Sequence, residues 1–376
     1  MPEASGHCDE RFASVRSAFE RNLSDGSDLG ASCAVHLDGE PVVDLWGGYV
    51  DPDRTTPWSA DTIVNVWSTT KTMTALVALM LADAGELDVA APVERYWPEF
   101  AAGGKRDVEV RHLLGHTSGL SGWAAPMTLE DLYDWEKATA LLAAEEPWWT
   151  PGSASGYHAL TQGYLVGEVV RRITGQSVGR FFAEQVAGPL RADFLIGTPE
   201  QADERVAPVV PPDHLARINQ EDAPLALRTF LNPLVPAEAS SSAQWRRAEI
   251  PAANGHGNAR SVAAVHSVLA CGGEARGVRL LSEAGCERVF EQQSDGKDLV
   301  LGVPLRFGLG FALSGGPVPE GPRICAWGGW GGSVVVVDFD RRLCVAYVMN
   351  KMASGLVGDA RGAGLVQAAL EATAKS

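Results

Sequence analysis

Residues 65–85 read NVWSTTKTMTALVALMLADAG and place a serine and a lysine one helical turn apart, where a long apolar segment begins. After Lys71 no charge occurs before Asp83, which predicts a helix buried on all sides and ended by Gly85. Positions i and i+3 share a helix face, so we expect Ser68 and Lys71 to point into one cleft. Because burial costs a lysine its hydration, this lysine is a candidate functional residue.

A second Ser-x-x-Lys sequence, SDGK at residues 294–297, shows what a chance match looks like. Its Asp-Gly pair follows three polar residues and no apolar helix comes after it, which predicts a solvated turn. We therefore expect a site at Ser68 and none at Ser294.

The composition is that of a soluble globular protein, with 376 residues, 45% of them hydrophobic, enough for one large domain or two interleaved subdomains. The net charge of −16 and the lack of a basic block argue against nucleic-acid or anionic-membrane partners. Residues 1–11 are polar and no apolar run is long enough to span a membrane, so we expect a cytoplasmic protein. Six separated cysteines without a Cys-x-x-Cys pair favour reduced thiols, with Cys325 and Cys344 the one candidate disulfide.

The pattern along the chain is β at both ends and α in the middle. Alternating residues predict two strands over 31–49 around an Asp-Gly turn. The helices are predicted at 9–24, 129–144, 163–174, 178–185 and 358–374, and the late strands at 324–326, 333–338 and 343–350. The chain is thus predicted to be α+β. An antiparallel sheet flanked by helices is assembled from both chain ends, 1–75 and 265–376, and a mostly helical part, 76–264, is inserted between them. The active-site cleft is expected between the sheet and the helical part. Residues 200–260, rich in Pro, Ala and Asn, are expected to form a lid or wall of the cleft.

Two further stretches carry candidate chemistry. Tyr157 lies in a loop of small residues and could shuttle the proton of Ser68, helped by a cationic Lys71 that lowers the pKa of the phenol; packing is the alternative role. In WGGWGG, residues 327–332, the glycines allow close backbone approach, so that the N–H groups of Trp330 and Ser68 could hold an oxyanion. A glycine-rich bulge is the alternative for this segment.

Three elements in this order, Ser68-Thr69-Thr70-Lys71, Tyr157 and Trp327-Gly328-Gly329, with LLGHTSGL at 113–120 between the first two, resemble the serine β-lactamase and penicillin-binding-protein superfamily. The resemblance is to its class C-like esterase branch, the family VIII carboxylesterases, and covers residue 31 to the C-terminus. It implies a helical subdomain against an antiparallel sheet, with an acyl-enzyme on a serine between them.

Two departures from the superfamily pattern point to the esterase branch. The asparagine of the Tyr-x-Asn motif, which grips an amide side chain, is Ala159 here, and the lysine of Lys-Thr-Gly, which binds a substrate carboxylate, is Trp327. Both changes favour a neutral, apolar or aromatic ester. The tryptophans that could line such a site are Trp67, Trp123, Trp148, Trp149 and Trp330.

Other motifs receive a structural interpretation. Gly-Gln-Ser-Val-Gly at 175–179 matches the α/β-hydrolase nucleophile elbow, but a helix precedes it, so Ser177 is expected to cap a helix. His112 and His116 lack the glutamate of a zinc protease motif. His158, next to Tyr157, is a candidate substrate-binding residue that could tune the site, with a hydrogen bond to nearby backbone as the alternative role. Residues 254–261 are expected to cap a helix.

The sequence therefore predicts a serine esterase: Ser68 attacks the carbonyl, Lys71 and Tyr157 move protons, Trp330 helps to hold the oxyanion, and no metal or organic cofactor is required. Acyl transfer to an amine or alcohol is the alternative, followed by β-lactam or D-amino-acid peptide hydrolysis. A binding or scaffold protein is disfavoured, since it has no physical reason to keep a buried lysine beside a serine.

Overall fold

A computed structural model describes residues 4–214 and 224–374. Fifteen strands occur in these residues. In chain order they are β1 (Ser5–Cys8), β2 (Gly30–Leu37), β3 (Glu40–Gly48), β4 (Ile63–Asn65), β5 (Phe194–Leu195), β6 (Val206–Ala207), β7 (His256–Gly257), β8 (Glu274–Ala275), β9 (Val278–Arg279), β10 (Ser294–Lys297), β11 (Pro304–Phe307), β12 (Ala312–Ser314), β13 (Ile324–Gly328), β14 (Val334–Asp338) and β15 (Leu343–Met349).

Nine of these strands form one antiparallel sheet in the order β1-β3-β2-β15-β14-β13-β12-β11-β10. Strands from the two ends of the chain meet inside this sheet, where β2 pairs with β15 from Leu37 opposite Leu343 to Ala31 opposite Met349. This pairing confirms the prediction of a sheet built from both ends of the chain. The remaining strands form a four-stranded sheet in the order β5-β7-β4-β6 and a two-stranded hairpin of β8 and β9.

The hairpin of β2 and β3 turns where the sequence predicts it. Asp38 and Gly39 have φ angles of 52° and 83°. Two consecutive positive φ angles are typical of the mirror-image turns that match the twist of paired strands, and Asp-Gly is a favoured pair for them.

The described residues contain twelve α-helices, of which α1 and α12 pack together and α10 lies against β2 and β15. They are α1 (Ala13–Ser24), α2 (Thr70–Asp83), α3 (Val110–Leu114), α4 (Trp135–Ala144), α5 (Thr161–Thr174), α6 (Val178–Phe182), α7 (Gly188–Leu190), α8 (Pro224–Phe230), α9 (Ala243–Arg247), α10 (Ala259–Ala270), α11 (Glu283–Glu287) and α12 (Ala360–Ala374). In chain order, α2–α9 lie between the early strands β1–β3 and the late strands β10–β15 of the large sheet, as predicted. The exact domain boundaries stay a prediction. None of the helices in residues 4–214 and 224–374 is long and apolar enough to cross a membrane.

Two predicted helices are interrupted. The helix predicted at 129–144 is a 3-10 turn, Glu130–Tyr133, followed by α4, because Asp134 is extended and its side chain accepts the Lys137 N–H as the cap of α4. The helix predicted at 178–185 is α6, which continues as a π-helical turn over Ala183–Ala187.

Two predictions on the sheet are wrong. Residues 294–297 are not a turn but the exposed edge strand β10, which pairs with β11 from Ser294 opposite Phe307. Cys325 and Cys344 cannot form a disulfide, because each lies opposite Val337 on a different side of β14, and all six cysteines are free. An intervening strand separates the two thiols by two strand spacings, about 9–10 Å, well beyond the reach of a disulfide.

Candidate active site

The nucleophile candidate lies in a short 3-10 turn, Trp67–Thr69, that leads into α2. Ten consecutive residues of α2, Thr70 to Leu79, are buried, which confirms the predicted buried helix. Trp67 has a φ of 48°, a left-handed conformation that is unusual for a large side chain and costs conformational energy. The structure therefore holds this turn in a conformation that the sequence alone would not favour.

Hydrogen bonds from distant segments fix the turn. The Val66 N–H donates to the Gly255 carbonyl oxygen over 2.9 Å. The Ser333 hydroxyl donates to the Val66 carbonyl oxygen over 2.7 Å, and its oxygen lies 3.0 Å from Thr69 Oγ1. The backbone at Ser68 is thus tied both to the large sheet and to the segment before α10.

Two side chains converge on the Ser68 hydroxyl. Lys71 Nζ lies 3.0 Å from Ser68 Oγ, and the Tyr157 hydroxyl donates to Ser68 Oγ over 2.6 Å. The residues are 3 and 89 positions from Ser68 in the chain, so that only the tertiary fold brings the phenol there. The structure thus brings Ser68, Lys71 and Tyr157 together, as the sequence predicts.

The surroundings of Lys71 favour the neutral amine. Its Nζ also donates to the carbonyl oxygens of Ala159 and Ala252, over 2.7 and 2.9 Å. Burial lowers the pKa of Lys71 well below its usual value. With two N–H groups directed at carbonyls, a neutral amine has its lone pair free for the Ser68 proton.

Tyr157 is held by its backbone and by its ring. Its N–H donates to Asp298 Oδ1 over 3.0 Å, and the same oxygen accepts the N–H groups of Val300 and Leu301. The ring packs at 5.3 Å from that of Trp327. Burial raises the pKa of Tyr157, and the hydrogen bond with Ser68 only partly opposes this.

The expectation that Lys71 lowers the pKa of the phenol is contradicted, because burial raises that pKa. Burial acts on both groups and favours the uncharged form of each, a neutral amine and a protonated phenol. The resting site is better described as two neutral groups that share one serine hydroxyl.

The glycines of WGGWGG let the loop approach the nucleophile. A Cβ on Gly329 would lie 2.2 Å from the Val66 carbonyl oxygen and 3.2 Å from the Ser68 nitrogen, so that a larger residue cannot occupy this position. Within the described residues, the backbone N–H groups of Ser68 and Trp330 have no hydrogen-bond acceptor. Two free N–H groups on adjacent segments are the arrangement that an oxyanion hole requires.

Two residues that the sequence suggests for the site, Trp327 and His158, lie behind it and do not line the cleft. Trp327 is 1% exposed and packs behind Tyr157 and Phe307, so it does not form the wall of the cleft. The ring nitrogens of His158 lie 2.7 Å from Ser118 Oγ and 2.6 Å from the Gly156 carbonyl oxygen, and burial lowers its pKa to about 3. His158 is a neutral, buried residue that supports the Tyr157 loop.

Ser68 opens into a cavity of about 410 Å³. The cavity wall is mostly apolar, and Trp67 and Trp330 are the two candidate tryptophans that line it. Much of the lining comes from residues 229–231 and 233–238 together with Pro211 and Pro212, which confirms that part of 200–260 forms a wall. Residues 215–223 of that segment lie outside the described residues.

The alternative motifs have structural roles. Ser177 caps α6, accepting the Arg180 N–H, as predicted. His112 accepts the Glu109 N–H in a capping box, and His116 Nδ1 accepts the His158 N–H. Asn258 caps α10 through a capping box with Ser261, which confirms the prediction for residues 254–261.

Several supporting groups were not anticipated from the sequence. The carbonyl oxygens of Ala159 and Ala252 carry no side-chain signature, because every residue has a carbonyl. Asp298 and Ser333 act through long-range contacts. The only signal for them in the sequence is that each is a single polar residue next to an apolar segment.

Known proteins match this chain over most of its length. The Beta-lactamase family model matches residues 15–369. Esterase/beta-lactamase LipL of Mycobacterium tuberculosis is 38% identical over 368 residues, 94% of this chain and 84% of that protein.

Two solved structures superimpose closely. A family VIII carboxylesterase is 42% identical with a TM-score of 0.93 and covers 98% of this chain and 100% of its own. A penicillin-binding protein homologue from Caulobacter crescentus is 38% identical with a TM-score of 0.92 and covers 98% of this chain and 99% of its own. The chain belongs to the beta-lactamase family.

Proposed function

We propose that this protein is a serine hydrolase that cleaves carboxylic esters through an acyl-enzyme on Ser68. The observation that carries the proposal is the convergence of Lys71 and Tyr157 on Ser68 Oγ at the floor of an apolar cleft. The similarity to LipL, named an esterase/beta-lactamase, and to a family VIII carboxylesterase supports ester hydrolysis.

In the first step Ser68 Oγ bonds to the ester carbonyl carbon while its proton passes to neutral Lys71. The N–H groups of Ser68 and Trp330 stabilise the negative oxygen of the tetrahedral intermediate. Stabilisation by two such donors is worth several kcal/mol, since removing one donor typically costs about 3 kcal/mol.

The alcohol then leaves as its carbon–oxygen bond breaks, and Tyr157 gives the alcohol oxygen its proton. The Lys71 ammonium restores the proton of the phenol, which returns both groups to their neutral states. In the second half a water molecule attacks the acyl carbon, its proton passes through the same pair to Ser68, and the acid is released.

The cleft disfavours an ester that carries a carboxylate. Among the described residues that line the cavity there is no lysine, arginine or histidine to bind a substrate carboxylate. Trp327, at the position of the family lysine, is buried behind Tyr157. Apolar acyl and alcohol groups thus gain burial, whereas a carboxylate loses hydration without a partner.

We expect wild-type protein to hydrolyse p-nitrophenyl butyrate with a kcat/KM about 10- to 150-fold above that for nitrocefin, because a missing charged hydrogen bond costs about 1.5–3 kcal/mol. Both rates are read from the coloured product on one preparation. Comparable turnover of nitrocefin would instead indicate a β-lactamase, and adding methanol to the ester assay would detect acyl transfer as methyl butyrate.

The pH dependence tests the protonation states. Lys71 must be neutral to accept the Ser68 proton, and burial lowers its pKa, so log kcat/KM is expected to rise with unit slope and to level at a pH well below 10.5. Tyr157 must stay protonated, and its raised pKa predicts no descending limb below pH 10. A bell-shaped profile that falls near pH 8 would contradict this assignment.

A further inference from the structure

The described lining of the cleft has one charged side chain. Glu238 lies in the 3-10 turn Ala237–Ser241 and lines the cavity that Ser68 also lines. Its carboxylate is exposed to solvent, and none of the ion pairs among the described residues includes it. With no ion-pair partner among the described residues, this carboxylate can pair with a charge on a ligand.

Aromatic rings share this cavity with Glu238. Trp67 and Trp330 both line it, with ring centroids 4.9 Å apart, and Phe230 and Tyr157 contribute further rings. Aromatic faces attract alkylammonium groups, and aromatic rings together with a carboxylate are the chemistry that binds a quaternary ammonium group. The same rings also accept an uncharged apolar group of equal shape. The carboxylate is therefore the feature that distinguishes an ammonium group from an uncharged one.

The whole molecule favours the same sign of ligand. Its net charge is −16. Such a field raises the local concentration of cations and lowers that of anions, and it does so most strongly at low ionic strength.

We propose that Glu238 makes the cleft selective for esters that carry an ammonium group, and that it is a specificity-determining residue. This rests on the ester hydrolysis proposed above. The ammonium group lies between the Glu238 carboxylate and the aromatic rings while Ser68 attacks the carbonyl. For a choline ester, the bond between the acyl carbon and the choline oxygen breaks, and the choline oxygen gains a proton. Water then hydrolyses the acyl-enzyme, which releases the carboxylic acid and restores the Ser68 hydroxyl.

The test uses an isosteric pair, butyrylcholine and 3,3-dimethylbutyl butyrate, which differ by a quaternary nitrogen in place of a quaternary carbon. Wild-type protein is expected to prefer the choline ester in kcat/KM. In Glu238→Gln the ratio of the two values should fall about three- to fivefold, the scale of an exposed ion pair, and in Glu238→Lys by more than about tenfold. The wild-type preference should also decrease as sodium chloride is added.

Glu86→Gln is the matched control, because it removes the same charge from an exposed residue beyond the far end of α2, about 20 Å along a helix that rises about 1.5 Å per residue. It should keep the wild-type ratio. An unchanged ratio in Glu238→Gln and Glu238→Lys, with both esters still hydrolysed, would overturn the role of Glu238 alone. If wild-type protein hydrolysed neither ester, the proposed esterase function would fail instead.

Discussion

Ser68→Ala is expected to abolish ester hydrolysis, lowering kcat/KM by about five orders of magnitude or more, as removal of a serine nucleophile does in other hydrolases. The reason is that neither Lys71 nor Tyr157 can replace the attacking oxygen. The fold should persist, since alanine fits the turn before α2 and the apolar packing of the helix is unchanged. Turnover of p-nitrophenyl butyrate and the thermal unfolding midpoint measure the two effects.

Ser177→Ala is the control for this prediction. It removes the serine of the Gly-x-Ser-x-Gly match and the cap of α6, which costs about 1 kcal/mol of stability, but it should leave kcat/KM unchanged. Loss of activity in Ser177→Ala together with an active Ser68→Ala would show that Ser177 is the nucleophile and that Ser68 is not.

Lys71→Met has the second-largest expected effect, a decrease in kcat of about 100- to 10,000-fold, the range typical of a lost general base. Methionine keeps most of the volume of the buried chain but cannot accept the Ser68 proton. Some stability should also be lost, because the carbonyls of Ala159 and Ala252 lose a donor. Activity is therefore compared per folded molecule, at temperatures below the unfolding transition.

The chain offers a matched control in Lys105. This lysine is also buried, and it donates to the carbonyl oxygens of Ala102, Ala143 and Glu145, away from the cleft. Lys105→Met removes the same kind of contacts and should lower stability without lowering kcat. Equal losses of kcat in both variants would show that the effect of Lys71→Met is structural.

The local part of the site could be predicted from the sequence. The spacing of Ser68 and Lys71 fixes them on one face of a helix, and the apolar run behind them fixes the burial that lowers the lysine pKa. The Asp38-Gly39 turn is local in the same sense. These features depend on neighbours within a few residues, which is what sequence patterns report.

Features that depend on distant segments could not be predicted in the same way. The sequence predicts a lid or wall within 200–260, but not which residues of that segment line the cavity, because this Pro-rich stretch carries no helix or strand period. Residues 294–297 have the composition of a turn, yet pairing with β11 makes them a strand. The sign of the Tyr157 pKa shift was missed because it depends on burial, which the loop sequence does not reveal.

The most direct measurement is active-site labelling with a fluorophosphonate, followed by peptide mapping of the modified protein by mass spectrometry. The account predicts one phosphonyl group per chain, located on Ser68, with labelling far slower in Lys71→Met than in Lys105→Met. A label on Ser177 or Ser294 would contradict it. So would protein that, after treatment with excess fluorophosphonate, carries no label on any serine and keeps full ester turnover.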